Sequence, residues 1–128
     1  MIKHAETIIV GAGAAGAVLA ARITEASERQ VLLLEAGPDY PEPDSLPRDL
    51  ADGRRNSMTK HDWGLCHRPT TKQSIFPLPR GKVVGGSSAV NTCIGLRGQP
   101  EDYDEWASLG LDEWGWKDCL PAFKRLEN

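Results

Sequence analysis

The chain has 128 residues, the size of one small domain, and its 40% hydrophobic content with 13 glycines and 9 prolines implies many loops. A net charge of -3, with no basic run interleaved with aromatics, argues against nucleic acid or another polyanion as partner. The longest apolar run opens at Ile8, is broken by glycine, and is too short and too rich in Gly and Ala for a membrane span.

Cys66, Cys93 and Cys119 lie far apart, with no CxxC pair and no metal-ligand spacing, which favours a reduced, cytoplasmic compartment. Lys3 and the alanines around Gly16 imitate a secretory leader, but Glu6 interrupts it.

In chain order, residues 6–10 (ETIIV) are β-branched and apolar and predict a short buried strand. Residues 14–26 predict an amphipathic helix, with Ala15, Leu19 and Ile23 on one face, Val18 beside it, and small residues that permit close packing on a sheet. Residues 30–35 (QVLLLE) predict a second buried strand. Strand, helix and strand within about 30 residues form a right-handed parallel βαβ unit. From Pro38 to Pro79 the prolines break any long element, so an irregular excursion is expected, with a short strand around residues 73–76. Residues 102–108 and 117–126 predict two more helices, with Pro121 in the first turn of the second. The fold class is therefore α/β: the N-terminal part of a Rossmann-like domain with too few strands to complete a sheet.

Gly11-Ala12-Gly13-Ala14-Ala15-Gly16 is GxGxxG, placed directly after a strand and opening a helix. The first glycine suits a tight turn, the second lets backbone approach a pyrophosphate, and the third lets the helix pack on the strand. Free N–H groups and the positive end of the helix dipole then face phosphate. Glu35 closes the second strand where an acidic side chain accepts ribose hydroxyls, which disfavours NADP but does not separate NAD from FAD. A second cluster, Gly85-Gly86-Ser87-Ser88, forms either a backbone nest followed by a serine-capped helix or merely a flexible helix start.

The blocks GAGAAGAVLAARITE…VLLLEAG and PRGKVVGGSSAVNTCIGLRGQPEDYDEWA resemble the glucose–methanol–choline (GMC) family of FAD-dependent oxidoreductases. Gly81, Lys82, Gly85, Gly86, Ser87, Ser88, Asn91, Gly98 and Asp104 fall at fitting positions of that family's first signature. The resemblance spans the chain except the region from Pro38 to Lys72. It implies an extended FAD, with Gly11, Gly13, Ala14, Ala15, Gly16, Glu35 and Ala36 holding the ADP half. Arg80, Gly81, Val84, Gly85, Gly86 and Ser87 would run along the pyrophosphate and ribityl chain. Asn91, Thr92, Cys93 and Ile94 would approach the flavin ring. Gly95 departs from the signature, which usually carries an aromatic residue or alanine there. Val90 stands where some relatives carry a flavin-linking histidine, so a non-covalent FAD is expected.

The resemblance further implies oxidation of a small-molecule alcohol to a carbonyl compound by hydride transfer to the flavin. The catalytic histidine would lie on a further, C-terminal polypeptide segment, together with the rest of the FAD domain and the substrate domain. His4 is expected to be solvated, and His61 and His67 to be surface or local hydrogen-bonding residues. The chain then divides into a fingerprint (1–37), an excursion (38–80) and a second cofactor loop with helices (81–128). Trp63, Trp106, Trp114 and Trp116 are expected to pack, Asp102, Asp104 and Glu105 to face helix N-termini rather than a metal, and Cys93 to be a buried free thiol. Two other readings stay open from the residues alone: an NAD-dependent Rossmann oxidoreductase and a non-catalytic nucleotide-binding module.

Overall fold

The computed structural model describes residues 4–25, 28–57 and 60–127. The chain divides into two compact units, Met1–Ile94 and Gly95–Asn128.

The first unit opens with β1 (Thr7–Val10), α1 (Ala14–Thr24) and β2 (Val31–Leu34). The two strands pair in parallel, Thr7 opposite Val31 through Val10 opposite Leu34, as the expected βαβ unit requires. Of β1, Ile9 is buried while Val10 is 84% exposed, and Leu33 and Leu34 of β2 are also exposed. The expectation of fully buried strands is therefore corrected: of the residues of these two strands only Ile9 is buried. The helix is corrected too. Ala15 and Leu19 are exposed, while the expected Ile23 is turned inward together with Gly16 and Ala20. That spacing still follows the helical period, but it presents a glycine rather than a side chain to the strands. The last predicted helical position, Ala26, lies outside the described residues.

After β2 come a single 3-10 turn (Pro43–Ser45) and a one-turn helix α2 (Arg48–Ala51). The chain then enters a hairpin, β3 (Cys66–His67) against β4 (Phe76–Pro77), antiparallel. The same register continues below it as a bridge between Asp62 and Gly81, so the excursion is a long irregular ribbon rather than an unstructured loop. The predicted strand around residues 73–76 is displaced to Phe76–Pro77, and its partner was not foreseen. Prolines at 77 and 79 restrict the ladder to the carbonyl side, which is why the strand pattern is faint in sequence. A four-residue helix α3 (Ser87–Val90) closes the unit's regular structure.

The second unit holds α4 (Pro100–Ser108), a 3-10 turn (Asp112–Trp114) and α5 (Trp116–Leu126). Asp102 accepts the Gln99 N–H at 2.7 Å, and Asp104 accepts the Trp116 N–H at 3.0 Å. Asp102 and Asp104 thus serve helix starts, as expected. Pro121 lies inside α5, beyond its first turn, which corrects the expectation. Packing of buried Tyr103 against Trp106, Trp116 and Phe123 holds the helix across the missing backbone bond.

Candidate cofactor-binding site

The first glycine loop is tied to both strands. Gly11 N–H donates to the Leu34 carbonyl at 2.7 Å, extending the parallel pairing by one residue. Ala12 N–H donates to one Glu35 carboxylate oxygen at 2.8 Å, and Gly37 N–H donates to the other at 2.9 Å. Glu35 therefore joins the turn after β1 to the turn after β2. The Gly37 and Ala12 amides hold its carboxyl below the ordinary value of 4.5. A Cβ on Gly16 would run into the Gly11 carbonyl, so the helix sits hard against the turn. The first N–H groups of α1 have no intrahelical acceptor and open onto the loop.

The second glycine loop interlocks with the first. Gly85 N–H donates to the Ala12 carbonyl at 2.8 Å, and Gly85 bridges Gly13 in parallel. Gly86 has φ of +57°, and a Cβ there would lie 2.9 Å from the Cα of Gly13. A Cβ on Gly37 would meet the Lys82 carbonyl, and one on Gly81 would meet the Gly86 carbonyl. Val83, 1% exposed, and Ala12, 2% exposed, fill the small core between the loops. Of the two alternatives for this cluster, the serine-capped helix is not what forms: Gly86 stands at the N-cap and no side chain caps α3. Ser87 Oγ instead accepts the Gly81 N–H at 3.1 Å, and Ser88 Oγ donates to the Gly85 carbonyl at 2.6 Å.

The excursion braces this second loop, a role not legible in the sequence. Lys82 N–H donates to the His61 carbonyl (2.7 Å), Trp63 N–H to the Arg80 carbonyl (3.0 Å), and Trp63 Nε1 to the Gly81 carbonyl (3.0 Å). Asp62 accepts the Arg80 N–H at 2.7 Å, and the Lys82 ammonium lies 4.8 Å from the Trp63 ring centre.

Two concavities flank the joined loops. One of about 290 Å³ is lined by Val10, Gly11, Leu34, Glu35, Ala36 and Trp63, so Trp63 is a half-exposed wall rather than a core residue. The other, about 390 Å³, is lined by Asn56, Ser57, Pro79, Arg80, Ser87, Val90 and Asn91. A larger one, about 840 Å³, lies along residues 48–55, none of which belongs to either loop. Thr92, Cys93 and Ile94 follow the turn after α3. Asn91 Oδ1 accepts the Cys93 N–H at 2.8 Å, and Cys93 has φ of +56°. Its thiol is exposed, which corrects the expectation of burial: the Asn91 side chain bends the chain outward there. His4 and His67 are exposed and His61 is buried.

The donor set fits a dinucleotide. Around Gly13 an added Cβ would meet only the Gly86 Cα, at 3.8 Å, leaving open space beside the helix start. Glu35 keeps lone pairs for hydroxyl donors at the apolar groove of Val10, Leu34 and Trp63.

A glycine turn between parallel strands, opening a helix and facing an acidic strand end, defines a dinucleotide-binding α/β segment. The chain belongs to the GMC oxidoreductase family, whose N-terminal model matches residues 5–128. It is 42% identical to ecdysone oxidase of Spodoptera littoralis, covering 94% of this chain and 21% of that protein. It is 39% identical to the oxygen-dependent choline dehydrogenase of Rhizobium etli strain CIAT 652, covering 98% of this chain and 23% of that protein. An FAD-dependent oxidoreductase from Chaetomium thermophilum superposes with a TM-score of 0.76 at 34% identity, over 94% of this chain and 20% of that one. The chain thus spans less than a quarter of the length of these relatives. Among the described residues no helix is long and apolar enough to cross a membrane.

Proposed function

We propose that the two glycine loops together hold one FAD, bound without a covalent link, in a protein that oxidises the CH–OH group of a small alcohol. The observation that carries this is the Gly85-to-Ala12 hydrogen bond with the Gly13–Gly86 contact, which makes two phosphate-compatible loops one surface. A mononucleotide fills one such loop; a dinucleotide with a long linker reaches both. The Chaetomium relative is described as FAD-dependent, and relatives named for ecdysone and choline share a hydroxyl as the oxidisable group.

In this assignment the α1 start, Gly11, Gly13, Ala14, Ala15 and Gly16, receives the pyrophosphate through backbone N–H groups. Glu35 and Ala36 take the ribose, with Val10, Leu34 and Trp63 around the base. Arg80, Gly81, Val84, Gly85, Gly86 and Ser87 guide the ribityl chain, and Asn91 to Ile94 reach toward the ring. FAD when bound supplies the hydride acceptor. The chain's own work is grip and orientation. The proton-accepting base belongs to the protein beyond these residues, since His61 is committed to Asp49 and Tyr40 and exposed His67 packs on Phe76. The division into fingerprint (1–37), brace (38–80) and second cofactor loop (81–128), a further segment completing the FAD and substrate sites, and a cytoplasmic setting compatible with three unpaired cysteines complete the proposal.

Anaerobic addition of candidate alcohols to the protein carrying this chain tests it. Bleaching of a bound flavin by at least one primary or secondary alcohol is expected. A flavin indifferent to a broad alcohol panel, or reduced only by NADH, would overturn the proposed reaction.

A further inference from the structure

His61 is 4% exposed and Ser57 is 5% exposed, and neither belongs to the two glycine loops. Both converge on one acid. His61 Nδ1 lies 3.1 Å from Asp49 Oδ2, and Ser57 Oγ donates to the same oxygen at 2.6 Å. A carboxylate only accepts, so His61 Nδ1–H donates to it, and in the neutral ring Nε2 then accepts from the Tyr40 hydroxyl at 2.9 Å. The Ser57 and His61 donors hold the Asp49 carboxyl below its ordinary value.

The backbone attachments of these residues are the informative part. The His61 carbonyl accepts the Lys82 N–H at 2.7 Å, at the start of the second glycine loop. The Ser57 N–H donates to the Val90 carbonyl at 2.9 Å, at the end of α3 that follows the loop. The side-chain link from His61 through Asp49 to Ser57 therefore closes a circuit around residues 82–90. Both ends of the loop are gripped, and the grip is set by one partly exposed carboxylate shared by two buried side chains.

We propose that His61, acting through Asp49 and Ser57, is a positioning residue that fixes the span of the second glycine loop. This rests on the FAD assignment above. Loosening the circuit lets the Lys82 and Val90 ends separate, so the ligand loses its second contact while the first loop stays tied to β2 by Glu35. The consequence is selective: affinity for FAD falls, whereas affinity for ADP, which reaches only the first loop, does not.

The test is equilibrium titration of the apoprotein carrying this chain with FAD and, separately, with ADP. His61→Leu, which removes both ring bonds, is expected to weaken FAD at least tenfold and ADP by less than threefold. His61→Asn places an amide donor near the Nδ1 position and is expected to recover most of the FAD affinity. Should His61→Leu not fold, Ser57→Ala and Tyr40→Phe each remove one hydroxyl; Ser57→Ala is expected to show the same selective loss, and Tyr40→Phe a smaller one. Equal losses for FAD and ADP, or no loss of either in the folded variants, would overturn the inference. Failure of the unaltered protein to bind FAD at all would instead strike the underlying assignment.

Discussion

Gly86→Ala separates the fold from the ligand. The backbone there sits at φ of +57° and ψ of -139°, a region that residues with a side chain populate only under strain of about 1–3 kcal/mol. The new Cβ would lie 2.9 Å from Gly13 Cα, a backbone atom that cannot rotate away. Relieving that overlap costs about 1–3 kcal/mol more. Pushing the loops apart also weakens the Gly85-to-Ala12 bond, worth about 1 kcal/mol. The sum is about 3–7 kcal/mol, a large part of the roughly 5–15 kcal/mol that stabilises a typical domain. Gly13→Ala is the control. Its Cβ meets the Gly86 Cα at an ordinary 3.8 Å and its φ is -75°, so unfolding is expected to change by less than about 1 kcal/mol. The same methyl stands where backbone must approach phosphate, so FAD affinity is expected to fall about tenfold, or about 1.4 kcal/mol. Denaturant unfolding of the apoprotein and FAD titration give both numbers. Equal unfolding midpoints for Gly86→Ala and the parent would refute the interlocked-loop account.

Glu35→Gln keeps one acceptor of two and leaves either the Ala12 or the Gly37 N–H unpaired, so a loss of about 1–3 kcal/mol and weaker flavin retention are expected in thermal unfolding and spectroscopy. The carboxyls of Glu35 and Asp49 have folded values below their ordinary 4.5 and 3.8, so their stabilisation is present above those values and is lost as pH falls through the folded ones. Apoprotein stability measured downward from neutral pH is therefore expected to hold until near the ordinary carboxylate values and then decline, and Glu35→Gln is expected to flatten that decline. Acid precipitation of the holoprotein is expected to release all flavin into the supernatant, because Val90 offers no nucleophile for a link. Asp104→Ala removes the acceptor for the Trp116 N–H at the start of α5 and is expected to cost about 1 kcal/mol in unfolding of the same protein.

The βαβ unit and both glycine clusters were legible in the sequence because backbone-dictated features leave local marks: a β-branched run, GxGxxG, and an acid at the strand end. What the glycines touch was not legible. Gly37 carries no assignment in the sequence and Gly81 is expected only to run along the cofactor, yet each faces a carbonyl from a distant or folded-back segment. The brace from His61, Asp62 and Trp63 was hidden for the same reason. Its bonds run to carbonyls and amides of Arg80, Gly81 and Lys82, and any residue there supplies a backbone partner. Pro121 misled in the opposite direction. Local propensity places it in a first turn, and aromatic packing around Tyr103 overrides that preference.

The most direct test of the central claim is the visible absorption spectrum of the purified protein that carries this chain, with the released cofactor identified by chromatography. The account predicts flavin bands at one FAD per protein, retained on gel filtration and lost on acid treatment. A colourless protein that takes up no FAD on reconstitution, or one that holds NAD in the same groove, would contradict it.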